Sequence, residues 1–182
     1  MNSLFLQLYS LKLQFWLCLL NLYVYNMKAA SLKELKTELN TLHPAKVLEL
    51  CMHLAKYKKE NKELLSYLLF EADDEPGYIR NVKTEIDQHF AELSRTTPYL
   101  TKKSLRKALT FTNQRIRYSG LKRTEAELLI HFCKKFRKEV PFRNNITIKN
   151  IYIRLILRIK KTITMLHEDL QFDYGEEVKL LE

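Results

Sequence analysis

Five histidines and three cysteines carry the metal-ligating and nucleophilic potential of this chain, and their spacing does not assemble it. No two of His43, His53, His89, His131 and His167 are four residues apart, so the HExxH zinc pair is absent. Asp87 and His89, like His131 and Cys133, are two residues apart, which on a helix sets them on different sides. Asp73, Asp74 and Glu75 are adjacent acids without the ligand pattern and glycine of a calcium loop, and they read as helix-capping groups. His167-Glu168-Asp169 is a polar cluster expected at a helix C-terminus, where a charged imidazole is favoured. Cys18, Cys51 and Cys133 are far apart and form no Cys-x-x-Cys. Cys51 and Cys133 fall in apolar helical stretches and are expected as small buried thiols of a reducing compartment. The expectation is a protein that is not an enzyme and that uses no cofactor or metal.

The chemistry that stands out is electrostatic. The chain has 182 residues, 31 Lys and Arg, 21 Asp and Glu, and a net charge of +10. Residues 101–161 hold 18 basic and three acidic side chains, whereas residues 27–100 hold 11 and 12, and residues 162–182 hold one and six. Lys102, Lys103, Arg106 and Lys107 share one side of a helix by their spacing. Arg154, Arg158 and Lys161 form a second stripe, and Lys134, Lys135 and Lys138 a third. Arg115 and Arg117 add two guanidinium groups between them. A surface that unites these stripes repels itself, and a polyanion relieves the repulsion. Such binding neutralises phosphates, releases counterions and weakens steeply with salt. Tyr118, beside Arg117 at a helix end, is the candidate for base stacking, while Phe132 and Phe136 at helical spacing read as core. The expected partner is nucleic acid or an acidic protein, and no helix-turn-helix, zinc-finger or RNA-recognition motif selects the former. The alternative is a structural or assembly module whose apolar faces do the partnering and whose charge provides solubility.

Helices must position these groups. Three glycines and four prolines are too few for a turn-rich β-sandwich, and the glycines too few for phosphate-cradling loops. Apolar residues recur at helical spacing in Leu32, Leu35, Leu39 and Leu42, in Val47, Leu48, Cys51, Leu54 and Ala55, and in Ile79, Val82, Ile86, Phe90 and Leu93. Helix starts are expected near residues 32, 45, 62, 77, 99, 125 and 147, at irregular intervals. The fold expectation is an all-α, irregular multi-helix bundle of six to seven helices, with solenoid-like stacking as the alternative. Ser31 reads as a helix cap and Asp73–Gly77 as a loop. Ser119-Gly120 is a C-terminal stop, and Thr124 with Glu127 a capping box. A last helix is expected over residues 147–170. It completes a domain over 27–170, and residues 171–182 follow as an acidic tail able to fold over the basic surface.

Residues 1–26 differ from the rest. Of the 22 residues from Leu4 to Tyr25, 17 are apolar or aromatic, and Lys12 is the only charge. One reading starts the protein at Met27, leaving an apolar leader or extension upstream. A second is a membrane-spanning helix, in which Lys12 at mid-depth costs about 3 kcal/mol. A cleaved signal, the third, wants basic residues before the apolar run and a small-residue cleavage site after it. The expected location is cytoplasmic. A single-pass anchor bearing a cytoplasmic domain is the alternative, with membrane contact only if residues 4–25 are translated and inserted.

Overall fold

A computed structural model describes residues 29–141 and 145–182. The described residues form eight helices and no strand. They are α1 (Leu32–Thr41), α2 (Pro44–Tyr57), α3 (Lys59–Phe70), α4 (Glu75–Ala91), α5 (Pro98–Ser119), α6 (Lys122–Glu139), α7 (Ile146–Ile163) and α8 (Glu168–Lys179). The all-α class expected from periodicity is present, with eight helices rather than six or seven. The readings of residues 1–26 as leader, anchor or signal lie outside the described residues. Among those described, no helix is long and apolar enough to cross a membrane.

The additional helix comes from the C-terminal region. The helix expected over residues 147–170 is two, because α7 ends at Ile163 and His167 adopts an extended conformation before α8. His167-Glu168-Asp169 therefore stands at a helix N-terminus, where Glu168 and Asp169 complement the helix dipole. Nor do residues 171–182 form a loose tail. Tyr174, Val178 and Leu181 recur at helical spacing and are buried.

The chain divides into two compact units, one ending at Cys51 and the other running from Met52 to Glu182. In the first, Ser31 accepts a hydrogen bond from the Glu34 backbone while the Glu34 carboxylate accepts one from the Ser31 N–H at 2.7 Å, a complete capping box. No residue of α1 is buried, so its leucine stripe is amphipathic without a covered face. Cys51 is exposed, against expectation, because no residue of α2 is buried either.

The second unit is built around α6, which packs against α4, α5, α7 and α8. Its buried residues Ala126, Leu128, Leu129, Ile130, Phe132, Cys133 and Phe136 spread over more than one side, as a central helix requires. Phe132 sits edge-on to Phe90 of α4, with centroids 4.9 Å apart, and Phe136 edge-on to Tyr152 of α7 at 5.2 Å. Cys133 is enclosed by this core, and burial pushes its thiol up to about 12. Gly120 closes α5 with φ 68°, the left-handed conformation of a glycine stop.

Two local signals differ in part from their reading. Of the expected loop at Asp73–Gly77, Glu75–Gly77 already belong to the first turn of α4, while Asp74 caps that helix as the acids imply, its Oδ1 accepting the Gly77 N–H at 3.0 Å. A Cβ on Gly77 would lie 2.0 Å from Asp74 Oδ2. Asp74→Ala is therefore expected to cost about 1 kcal/mol. Gly77→Ala is expected to stabilise the Asp74→Ala protein but not the wild type, since only the wild type has a cap to displace. A four-corner urea-unfolding cycle reads this coupling, and simple additivity would contradict it.

The capping box expected at Thr124 and Glu127 does not form, because α6 begins at Lys122. Thr124 is fully buried instead and donates to Glu75 Oε1. Ser119 Oγ donates to the same oxygen at 2.5 Å, and Tyr67 donates to Glu75 Oε2 at 2.8 Å. One carboxylate thus ties α3, α4, the end of α5 and α6 together.

Candidate functional site

The segregated cations separate into those with carboxylate partners and those without. Arg115 is half-buried between Glu63 at 3.5 Å and Glu85 at 3.4 Å, with its guanidinium over the Phe111 ring. Lys134 pairs with Glu177 of α8 at 2.6 Å, and Lys135 with Asp87 of α4 at 3.1 Å. Arg158 bonds Glu125 through Nε at 2.8 Å and Nη2 at 2.7 Å. Lys102, Lys103, Arg106, Lys107, Arg117, Lys138, Arg154 and Lys161 form no ion pair with a described residue.

Arg158 also links two of the helices that carry stripes. Its Nη1 donates to Asn113 Oδ1 of α5 at 2.6 Å, so α7 touches α5 there while Glu125 of α6 lies beneath. α7 runs antiparallel to α6, since Arg158 meets Glu125 while Tyr152 meets Phe136, and α5 is joined to α6 through Gly120-Leu121. On α7, Arg154 and Lys161 stand one turn either side of Arg158 and are exposed. On α5, Lys102, Arg106 and Arg117 lie along the side that carries Asn113, at spacings of 11, seven and four residues. The Arg158–Asn113 contact joins α5 and α7 at one point, with Arg117 one turn from Asn113 and Arg154 and Lys161 one turn from Arg158. Lys103 and Lys107 sit about a quarter to a third of a turn further round α5.

The third stripe is elsewhere. Nine residues separate Glu125 from Lys134, about 2.5 turns, so Lys134 stands on the opposite side of α6 from the α5–α7 contact. Lys138, one turn on, shares that side. The third stripe is thus set apart from the Arg158–Asn113 contact, and Lys134 and Lys135 are engaged by α8 and α4. The acidic C-terminal segment does meet basic residues: Glu177 meets Lys134, and Glu182 pairs with Lys160.

Tyr118 is not a free stacking platform. Its hydroxyl donates to Glu63 at 2.9 Å and accepts from Gln114 at 2.6 Å, and Arg115 lies over its ring. Phe132 and Phe136 are core, as their spacing implied.

Beneath the face lies the ionic layer that supports it. Glu125 is only 8% exposed. Burial pushes its carboxyl up, but Lys122 and Arg158 outweigh burial and hold it below the usual carboxylate range. Glu127 behaves alike, with Lys83, Tyr174 and Arg123 overcoming burial. Both folded-state values lie below the unfolded value near pH ~4.3. The pairs contribute stability above that pH and lose it as pH falls through the folded values. The urea midpoint is therefore expected to fall as the pH drops below about 4.5, and Glu125→Gln to lower it at pH 7 while flattening that fall. An equal pH slope in the variant would contradict the assignment.

Asp87 meets His131 across α4 and α6, with Oδ1 and Nε2 2.6 Å apart. Sequence spacing could not find this pair, since the two residues are 44 apart. Among the described residues no group of three or more His, Cys, Asp and Glu comes together as metal ligands would. Comparison with family models, with curated proteins and with solved structures returns no match.

Proposed function

We propose that the face shared by α5 and α7 binds a polyanionic partner and that the protein is a helical binding module rather than an enzyme. The observation that carries this reading is selective pairing. Lys134 and Lys135 of α6 are held by carboxylates, whereas Arg106, Arg117, Arg154 and Lys161 are exposed and Lys102 is half-buried, none of them paired with a carboxylate among the described residues. A cationic face without internal counter-charge has its electrostatic work directed outward. The test is a salt titration of binding to random-sequence duplex DNA and to poly-glutamate. Neutralising about six phosphates gives a log–log slope of about −5 for the duplex. A flat response, or no binding at ~50 mM salt, would reject the reading.

One observation favours a second reading, self-assembly. Met52, Leu54, Tyr57, Leu68, Leu69 and Phe70 at the end of α2 and on α3 are all exposed. Association through them strengthens with salt, opposite to the basic face. Light scattering at 1 M against 0.1 M salt, about 3 and 10 Å of screening length, separates the two. A monomer at both would remove the second reading.

A further inference from the structure

The outer surface of α7 is not purely cationic, and its mixture narrows the class of partner. Ile146, Ile153 and Leu157 lie along one line of the helix, and Ile153 and Leu157 remain 43% and 61% exposed. Cations border this line on both sides. Lys149 and Lys160 stand towards the C-terminal segment, and Arg154 and Lys161 towards α5. Beside the line a hollow of about 400 Å³ opens over Tyr152, Ile156 and Leu181, rimmed by Arg137, Lys149 and Lys160 and by the carboxylate of Glu182. Among the described residues, only Lys160 of the four bordering α7 cations has a carboxylate, that of Glu182.

We infer that this strip is the docking groove for an acidic amphipathic helix of a partner protein, which lays aliphatic side chains on Ile153 and Leu157 and carboxylates against the two cationic borders. The inference rests on the polyanion reading above and names its partner. An aliphatic line between two cationic borders is complementary to a helix with an apolar stripe and acidic edges. Phosphates gain nothing from isoleucine and leucine, and bases stack on exposed aromatic rings, whereas Tyr152, the aromatic residue lining the hollow, is buried. A concave hollow suits the side chains of a partner helix better than a flat bilayer.

The test uses the full chain and a synthetic helix of about 20 residues, with leucine on one stripe, glutamate along both edges and alanine behind. A second peptide has the same composition scrambled. The expected result is that the amphipathic peptide binds at least about tenfold more tightly than the scrambled one. Ile153→Ser with Leu157→Ser, both exposed and so compatible with folding, should erase that difference while leaving poly-glutamate binding intact. Equal affinity for the two peptides, with salt-dependent binding retained, would overturn the inference and keep the polyanion reading. Loss of binding to all polyanions would overturn both. Tighter binding to random RNA than to the amphipathic peptide, or to vesicles containing phosphatidylserine, unaffected by the two serines, would also overturn it.

Discussion

Glutamate at Lys102, Arg106, Arg154 and Lys161 together is expected to weaken polyanion binding about a thousandfold at ~0.15 M salt. Four attractive contacts become repulsive on the face where α5 and α7 meet. None of the four side chains forms an ion pair with a described residue, and none reaches into the core, so the fold should persist. The informative control is glutamate at Lys134 and Lys138 on the far side of α6. The screening length at this salt is ~8 Å, so charges on the opposite side are nearly invisible to a ligand on the first. The control is expected to bind within about threefold of wild type, although it loses the Lys134–Glu177 pair. Fluorescence anisotropy with labelled duplex DNA reads both. Similar losses in the two proteins would mean that net charge, not this face, governs binding.

Phe132→Ala is expected to cost about 4 kcal/mol, the largest effect of any single core truncation considered. Phe132 is fully buried in the central helix and lies between Phe90 and Phe136, at centroid distances of 4.9 and 6.3 Å. Removing the ring forfeits its transfer free energy and opens a cavity that helices on several sides cannot all close upon. For a unit of this size the thermal midpoint should drop by about 15 °C. Phe132→Leu keeps most of the volume and should recover more than half of the loss. A shift under about 3 °C for the alanine variant would show that α6 is not the centre of the core.

The parts of this fold legible in the sequence are those decided locally. The run Ile79, Val82, Ile86, Phe90 and Leu93 is buried as its period implied, and Gly120 stops α5 as a glycine after a helix should. Ser31 with Glu34 is a capping box both in pattern and in hydrogen bonds. What failed was decided by neighbours. Thr124 and Glu127 have the spacing of a capping box, but Thr124 is drawn into the core towards Glu75, and Glu127 towards Lys83 and Tyr174. Periodicity shows that α1 and α2 have an apolar face without showing what covers it, and so Cys51 was misplaced.

The candidate site was legible as composition but not as geometry. Counting located the basic segment, and spacing located each stripe. Which of the helices that carry stripes touch depends on helix order round α6 and on a bond between Arg158 and Asn113, 45 residues apart. Tyr118 looked free beside Arg117 because its partner Glu63 is 55 residues away.

Lysine acetylation with and without bound poly-glutamate, read residue by residue by mass spectrometry, tests most directly whether α5 and α7 form the binding face. The expected result is protection of Lys102 and Lys161, with Lys134 and Lys138 labelled equally in both states. Protection of Lys134 and Lys138 instead, or the same labelling at every lysine, would contradict it.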